Sequence, residues 1–145
     1  MMAPVRVGVV GAGAIAQVAH LPALARSRGA QLVALCDNDG PKASALGERF
    51  GVQDVYTDIE DLLESAELDA VVLTTPNHLH EPHALSALAA GVHVLCERPL
   101  ALTSRGVERI LAAASRADRI VTLSDGQVVA DEMQPAGAMP PLRIG

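Results

Sequence analysis

The stretch from Val5 to Ala16, Val-Arg-Val-Gly-Val-Val-Gly-Ala-Gly-Ala-Ile-Ala, constrains this chain more than any other: an apolar β-branched run meets a glycine turn that opens a helix. Gly11 lets the backbone leave the strand at dihedrals a side chain would forbid, and Gly13 removes the Cβ that would keep a phosphate from the backbone. The helix beginning near Ala14 turns its unpaired amides and the positive end of its dipole towards the same place, which favours an anion there. Gly11, Gly13, Ala14 and Ile15 are therefore candidate pyrophosphate contacts. Ala16 stands where a third glycine is usual, and alanine still permits close helix–strand packing. A second strand, Gln31 to Asp37, ends in a carboxylate 21 residues beyond Ala16, near the offset of about 20 at which an acidic group meets ribose hydroxyls. The competing reading is a strand–helix turn that holds no ligand.

At 145 residues, half of them hydrophobic, the chain has the size of one domain with a substantial core. A net charge of −6 argues against a nucleic-acid partner. Phe50 and Tyr56 are the only aromatic residues, so base-stacking platforms are not expected. Cys36 and Cys96 each end an apolar run and read as reduced, buried thiols of a cytoplasmic protein rather than a disulfide. No apolar run reaches the roughly 18 residues that a membrane span needs.

Along the chain the pattern alternates. Helices are expected over Ala14 to Arg28, Pro41 to Phe50, Asp58 to Glu64, Glu81 to Ala90 and Thr103 to Ala117. After the first strand, further strands are expected at Gln31 to Cys36, Val55 to Thr57, Asp69 to Thr75, Val92 to Cys96 and Arg119 to Leu123. Pro41 near one helix start and Gly51 beyond its end follow the usual asymmetry, and Thr103 or Ser104 can cap the last helix. Apolar runs such as Ala-Val-Val-Leu at residues 70–73 lack alternation, as suits strands buried on both faces. The order implies an α/β fold, a doubly wound parallel sheet. Residues 1–124 read as a dinucleotide-binding domain. Ser124-Asp125-Gly126 is a turn signal, Gln127 to Gln134 is a short helix or a returning strand, and the prolines that follow make residues 125–145 a linker or tail.

Two further segments fall at the carboxyl edge of such a sheet, where these folds bind ligands: Thr75-Pro76-Asn77-His78-Leu79-His80 and Cys96-Glu97-Arg98-Pro99-Leu100-Ala101. With the glycine turn and with Ala16-Gln17-Val18-Ala19-His20-Leu21-Pro22, they resemble the Gfo/Idh/MocA family of nicotinamide-dependent oxidoreductases, from about Val5 to Leu123. The resemblance implies a Rossmann domain that binds NAD(H) or NADP(H), and hydride transfer to or from the carbinol carbon of a sugar or polyol. It implies that Thr75, Pro76, Asn77 and His80 line the cofactor. Glu97 and the next residue would sit near the nicotinamide and substrate, as catalytic and cofactor-binding groups. Asp37 leans the expectation towards NAD over NADP, because a carboxylate repels a 2′-phosphate and no arginine cluster follows it.

Arg98 departs from the family, which has lysine there; guanidinium stays charged and is poorly suited to relay a proton. The family's substrate domain is also expected to be absent from this chain. The alternative function is therefore a non-catalytic NAD(H)-binding or sensing protein that pairs with another chain. A remnant that binds nothing is a third reading. Surface normally covered by the second domain would favour a homo-oligomer. His78, His80 and His83 with Glu81 do not have a strong metal-site spacing, so no metal is expected. His93 reads as packed at the sheet, and His20 as facing either solvent or the cofactor.

Overall fold

The computed structural model describes residues 2–115, 119–124 and 127–133. Strand β1 (Val5–Val10) leads through the glycine turn into a helical segment that starts at Ala14, passes through a π-helical turn (Ala16–His20) and continues as α1 (Leu21–Arg26). Then come β2 (Ala30–Cys36), α2 (Gly40–Phe50), β3 (Asp54–Tyr56), α3 (Ile59–Ser65) and β4 (Ala70–Leu73). They are followed by α4 (Asn77–Ala89), β5 (His93–Cys96), α5 (Ser104–Ala114), β6 (Arg119–Ser124) and β7 (Gln127–Met133). The first five strands form one parallel sheet in the order β3-β2-β1-β4-β5.

Residue alternation along the strands explains why helices cover both faces. Val10, Ala34, Cys36, Val71 and Leu73 pack with Ile59 of α3, Ala84 of α4 and Ile110 of α5. Their neighbours Val9, Leu35 and Val72 face the other way, onto Ala16, Leu21 and Leu46. Leu21, Leu35, Leu62 and Leu73 are wholly buried, and each contributes about 1.5–3 kcal/mol relative to exposure. This is the doubly wound α/β architecture expected from the alternating pattern.

Local chemistry sets the helix ends. Asp39, Asp58 and Thr103 each accept a hydrogen bond from the first turn of the following helix, and Gly51 closes α2 in the left-handed region. Cys36 is buried and Cys96 half-buried, both as free thiols. Burial, then the carboxylates of Asp58, Asp37 and Asp61, pushes Cys36 up to about 12, and burial, then Glu97, pushes Cys96 up to about 11.

Three expectations change. His93, expected to pack at the sheet, is exposed at the start of β5. Helix α4 begins at Asn77 rather than Glu81, so the Pro76-Asn77 segment is a helix start; Pro82 lies inside this helix, where it removes the bond its N–H would give the His78 carbonyl. The strand at Arg119 does not extend the parallel sheet among the described residues. It pairs antiparallel with β7, from Arg119 opposite Met133 to Ser124 opposite Gln127, so the returning-strand option for residues 127–133 holds. The proline-rich segment from Pro135 lies outside the described residues.

Candidate functional site at the carboxyl edge of the sheet

Gly11 is needed twice over. Its φ is +99°, and a Cβ there would stand 2.6 Å from the Thr74 carbonyl carbon. Its N–H donates to the Cys36 carbonyl at 2.7 Å, and the buried Thr74 hydroxyl donates to the Gly11 carbonyl at 2.7 Å. The turn after β1 is thus fastened to the ends of β2 and β4. Gly13 differs: a Cβ there would meet nothing within 4 Å. The helix starting at Ala14 leaves its first amides without intrahelical acceptors, beside that open space.

Ala12 is held from both sides. Its N–H donates to Asp37 Oδ2 at 2.7 Å, and its carbonyl accepts from Gln17 Nε2 at 2.9 Å. Asp37 Oδ1 accepts from the Asp39 amide at 2.9 Å and lies 3.1 Å from Lys42 Nζ. Burial would raise the Asp37 pKa, but the Ala12 and Asp39 amides and the Lys42 ammonium together outweigh it and hold the group below its ordinary value. An ionised acid therefore stands beside the glycine turn. A bare approach over Gly13, unpaired helix amides and an adjacent carboxylate suit the pyrophosphate and ribose of a dinucleotide.

The other side of the edge is built by the ends of β4 and β5. Pro76, Asn77 and Arg98 are exposed, and Thr75 and Glu97 are partly so. His20 Nε2 lies 2.6 Å from Glu97 Oε1. The His20 hydrogen bond, assisted by the Arg98 amide, holds the Glu97 pKa below its ordinary value against the opposing effect of burial. The π-helical turn, in which the Leu21 N–H bonds the Ala16 carbonyl five residues back, ends on His20. Such turns often occur at functional sites.

His80 is only 1% exposed. Its Nδ1 is 2.6 Å from the Pro99 carbonyl oxygen and its Nε2 is 2.7 Å from that of Thr75. Carbonyls only accept, so both contacts are hydrogen bonds together when both ring nitrogens carry hydrogens. His80, expected to line the cofactor, thus has both ring nitrogens beside protein carbonyls and joins the segments after β4 and β5.

Of the expected residues, Gly11, Gly13, Ala14, Ile15 and Asp37 come together around the turn, while Thr75, Pro76, Asn77, Glu97 and Arg98 lie at the ends of β4 and β5. Sequence reasoning missed Thr74, Gln17 and Lys42, and left His20 undecided. Lys42, five residues after Asp37 and in the first turn of the next helix, was the most legible of these. Among the described residues, no group of three or more His, Cys, Asp or Glu is arranged to hold a metal, and no helix is long and apolar enough to cross a membrane.

The family model described as oxidoreductase family, NAD-binding Rossmann fold, matches residues 5–124. D-glucoside 3-dehydrogenase of Escherichia coli is 34% identical over 118 residues, which is 81% of this chain and 34% of that protein. Inositol 2-dehydrogenase of Klebsiella pneumoniae is 38% identical over 115 residues, 79% of this chain and 34% of that protein. This chain thus spans about a third of the length of the curated relatives it matches. Among solved structures, a 3-ketoreductase from Actinomadura kijaniata in complex with TDP-benzene and NADP superposes with TM-score 0.76 at 35% identity, over 82% of this chain and 38% of that one. The scyllo-inositol dehydrogenase of Lactobacillus casei with bound NAD(H) and scyllo-inositol gives TM-score 0.75 at 27% identity, over 79% of this chain and 34% of that one. The match covers the strands and turns that build this edge of the sheet, and the chain belongs to the Gfo/Idh/MocA family of NAD(P)-dependent oxidoreductases.

Proposed function

We propose that this chain is the cofactor-holding part of an oxidoreductase that moves a hydride between a nicotinamide and the carbinol carbon of a sugar or polyol, and that it is not competent alone. The observation that carries the cofactor half is the Ala12 to Asp37 hydrogen bond of 2.7 Å beside the open face of Gly13. It joins an acid that would bind ribose and a turn that would accept phosphate in one bonded unit. Gly11, Gly13, Ala14 and Ile15 would hold the pyrophosphate, and Asp37 would accept from the adenosine ribose. Thr75, Pro76 and Asn77 would flank the nicotinamide half, with Glu97 and Arg98 beside the reacting carbons.

The cofactor, when bound, supplies the hydride chemistry. The chain supplies position and charge. Glu97, fixed by His20, is placed to accept a hydroxyl hydrogen bond from ribose or substrate, and Arg98 to orient an oxygen without giving up its proton. The substrate class follows the relatives, which are dehydrogenases of inositols and glucosides.

A second reading has one observation in its favour. Arg98 stands where the family's lysine is expected, so the chain would bind NAD(H) without turning over a substrate. Titration with NADH, followed by fluorescence and by thermal shift, tests the shared part: saturable binding with stabilisation is expected, and no change in either signal rejects both readings. Turnover of a polyol by the chain alone would reject the second, and with it the statement in the first that the chain is not competent alone.

A further inference from the structure

Asp37 is the residue expected to turn NADP away, yet it is not a bare carboxylate. Its side chain is only 8% exposed, and both oxygens are engaged: Oδ2 by the Ala12 amide, Oδ1 by the Asp39 amide at 2.9 Å and the Lys42 ammonium at 3.1 Å. Lys42 is held in place by its own helix, since its backbone N–H donates to Asp39 Oδ1 at 3.1 Å in the first turn of α2. Its side chain is 37% exposed, and an ammonium has three donors, of which Asp37 needs one. A flexible stem lets such a charge turn towards a phosphate without leaving its carboxylate far behind.

We propose that Lys42 makes the adenosine end of this site tolerant of both cofactors, Asp37 taking a ribose 2′-hydroxyl and Lys42 a 2′-phosphate. This rests on the dinucleotide reading given above and reverses the lean towards NAD that Asp37 alone suggests. A lone carboxylate repels a 2′-phosphate, whereas a carboxylate neutralised at 3.1 Å by a half-exposed ammonium presents little net charge and two spare donors. A merely structural Lys42 would do no more than hold α2 against the end of β2.

The test is the pair of dissociation constants for NADH and NADPH, measured by fluorescence at fixed salt for the wild type and for Lys42→Met, Lys42→Arg and Asp37→Asn. The wild type is expected to bind the two within about tenfold of each other, and Lys42→Met to raise the NADPH-to-NADH ratio about tenfold. Lys42→Arg retains the wild-type ratio, and Asp37→Asn lowers it in favour of NADPH. NADPH binding should also weaken more steeply with added salt than NADH binding. A ratio unmoved by Lys42→Met while NADH still binds would overturn the assignment, as would a wild type that prefers NADH by a hundredfold or more. Binding of neither cofactor to the folded wild type would instead remove the dinucleotide reading beneath it. Melting temperatures of all four proteins separate these results from misfolding.

Discussion

His20 Nε2 and Glu97 Oε1 lie 2.6 Å apart, joining the helix that follows the glycine turn to the segment that leaves β5. The two residues are 77 apart in the chain, so the bond draws together parts of the site that the sheet alone leaves separate. Both side chains are partly open, at 19% and 36% exposed, and water screens the pair. A double-mutant cycle of His20→Ala and Glu97→Ala, read by denaturant melts, is expected to give a coupling of about 0.5–1 kcal/mol. A coupling of zero would mean that the contact does not position Glu97.

His80 carries a larger share of the stability. It is buried, with its ring nitrogens 2.6 and 2.7 Å from the carbonyl oxygens of Pro99 and Thr75, so its loss removes their hydrogen-bonding partner and leaves a cavity behind the site. His80→Ala is expected to destabilise the protein by about 2–4 kcal/mol in urea denaturation. A loss below about 0.5 kcal/mol would show that the brace is unimportant.

Much of this was legible beforehand, and the reason is physical. Gly11, Gly13 and Asp37 are constrained by backbone geometry and by charge at a known offset, so residue type and spacing carry the information. Buried strands such as Ala70–Leu73 announce themselves as unbroken apolar runs. What stayed hidden depends on where side chains reach across the fold. Nothing in the spacing of His20 and Glu97 says that they meet, and the motif containing His80 does not reveal that its ring faces inwards. The start of α4 was not legible because proline suits a first helical turn, which favours a start at Glu81, whereas Pro82 lies inside a helix that begins at Asn77. Residues 119–123 read as one more parallel strand because the turn signal that follows them left a short helix and a returning strand equally open, and only the second gives the antiparallel pair with β7.

Acid should act on the site through Asp37. Its folded pKa lies below the ordinary value, so its ionised form contributes stability above the usual carboxylate range, about pH 4, that is lost as the pH falls through the folded value. Thermal melts between pH 7 and pH 3 are expected to fall more steeply below about pH 4 for the wild type than for Asp37→Asn. Parallel curves would show that the bonds to Ala12, Asp39 and Lys42 contribute nothing to this dependence.

The central claim is that the turn over Gly13 receives a dinucleotide. Gly13 suits a direct test, because a side chain there would meet no atom of the protein within 4 Å and its φ lies outside the range that penalises side chains. The measurement is NADH affinity of Gly13→Val beside the wild type by calorimetry, with melting temperatures alongside. The account predicts a melting temperature close to wild type and NADH binding weakened by at least about a hundredfold, some 2.8 kcal/mol. Undiminished binding by a folded Gly13→Val protein would contradict it.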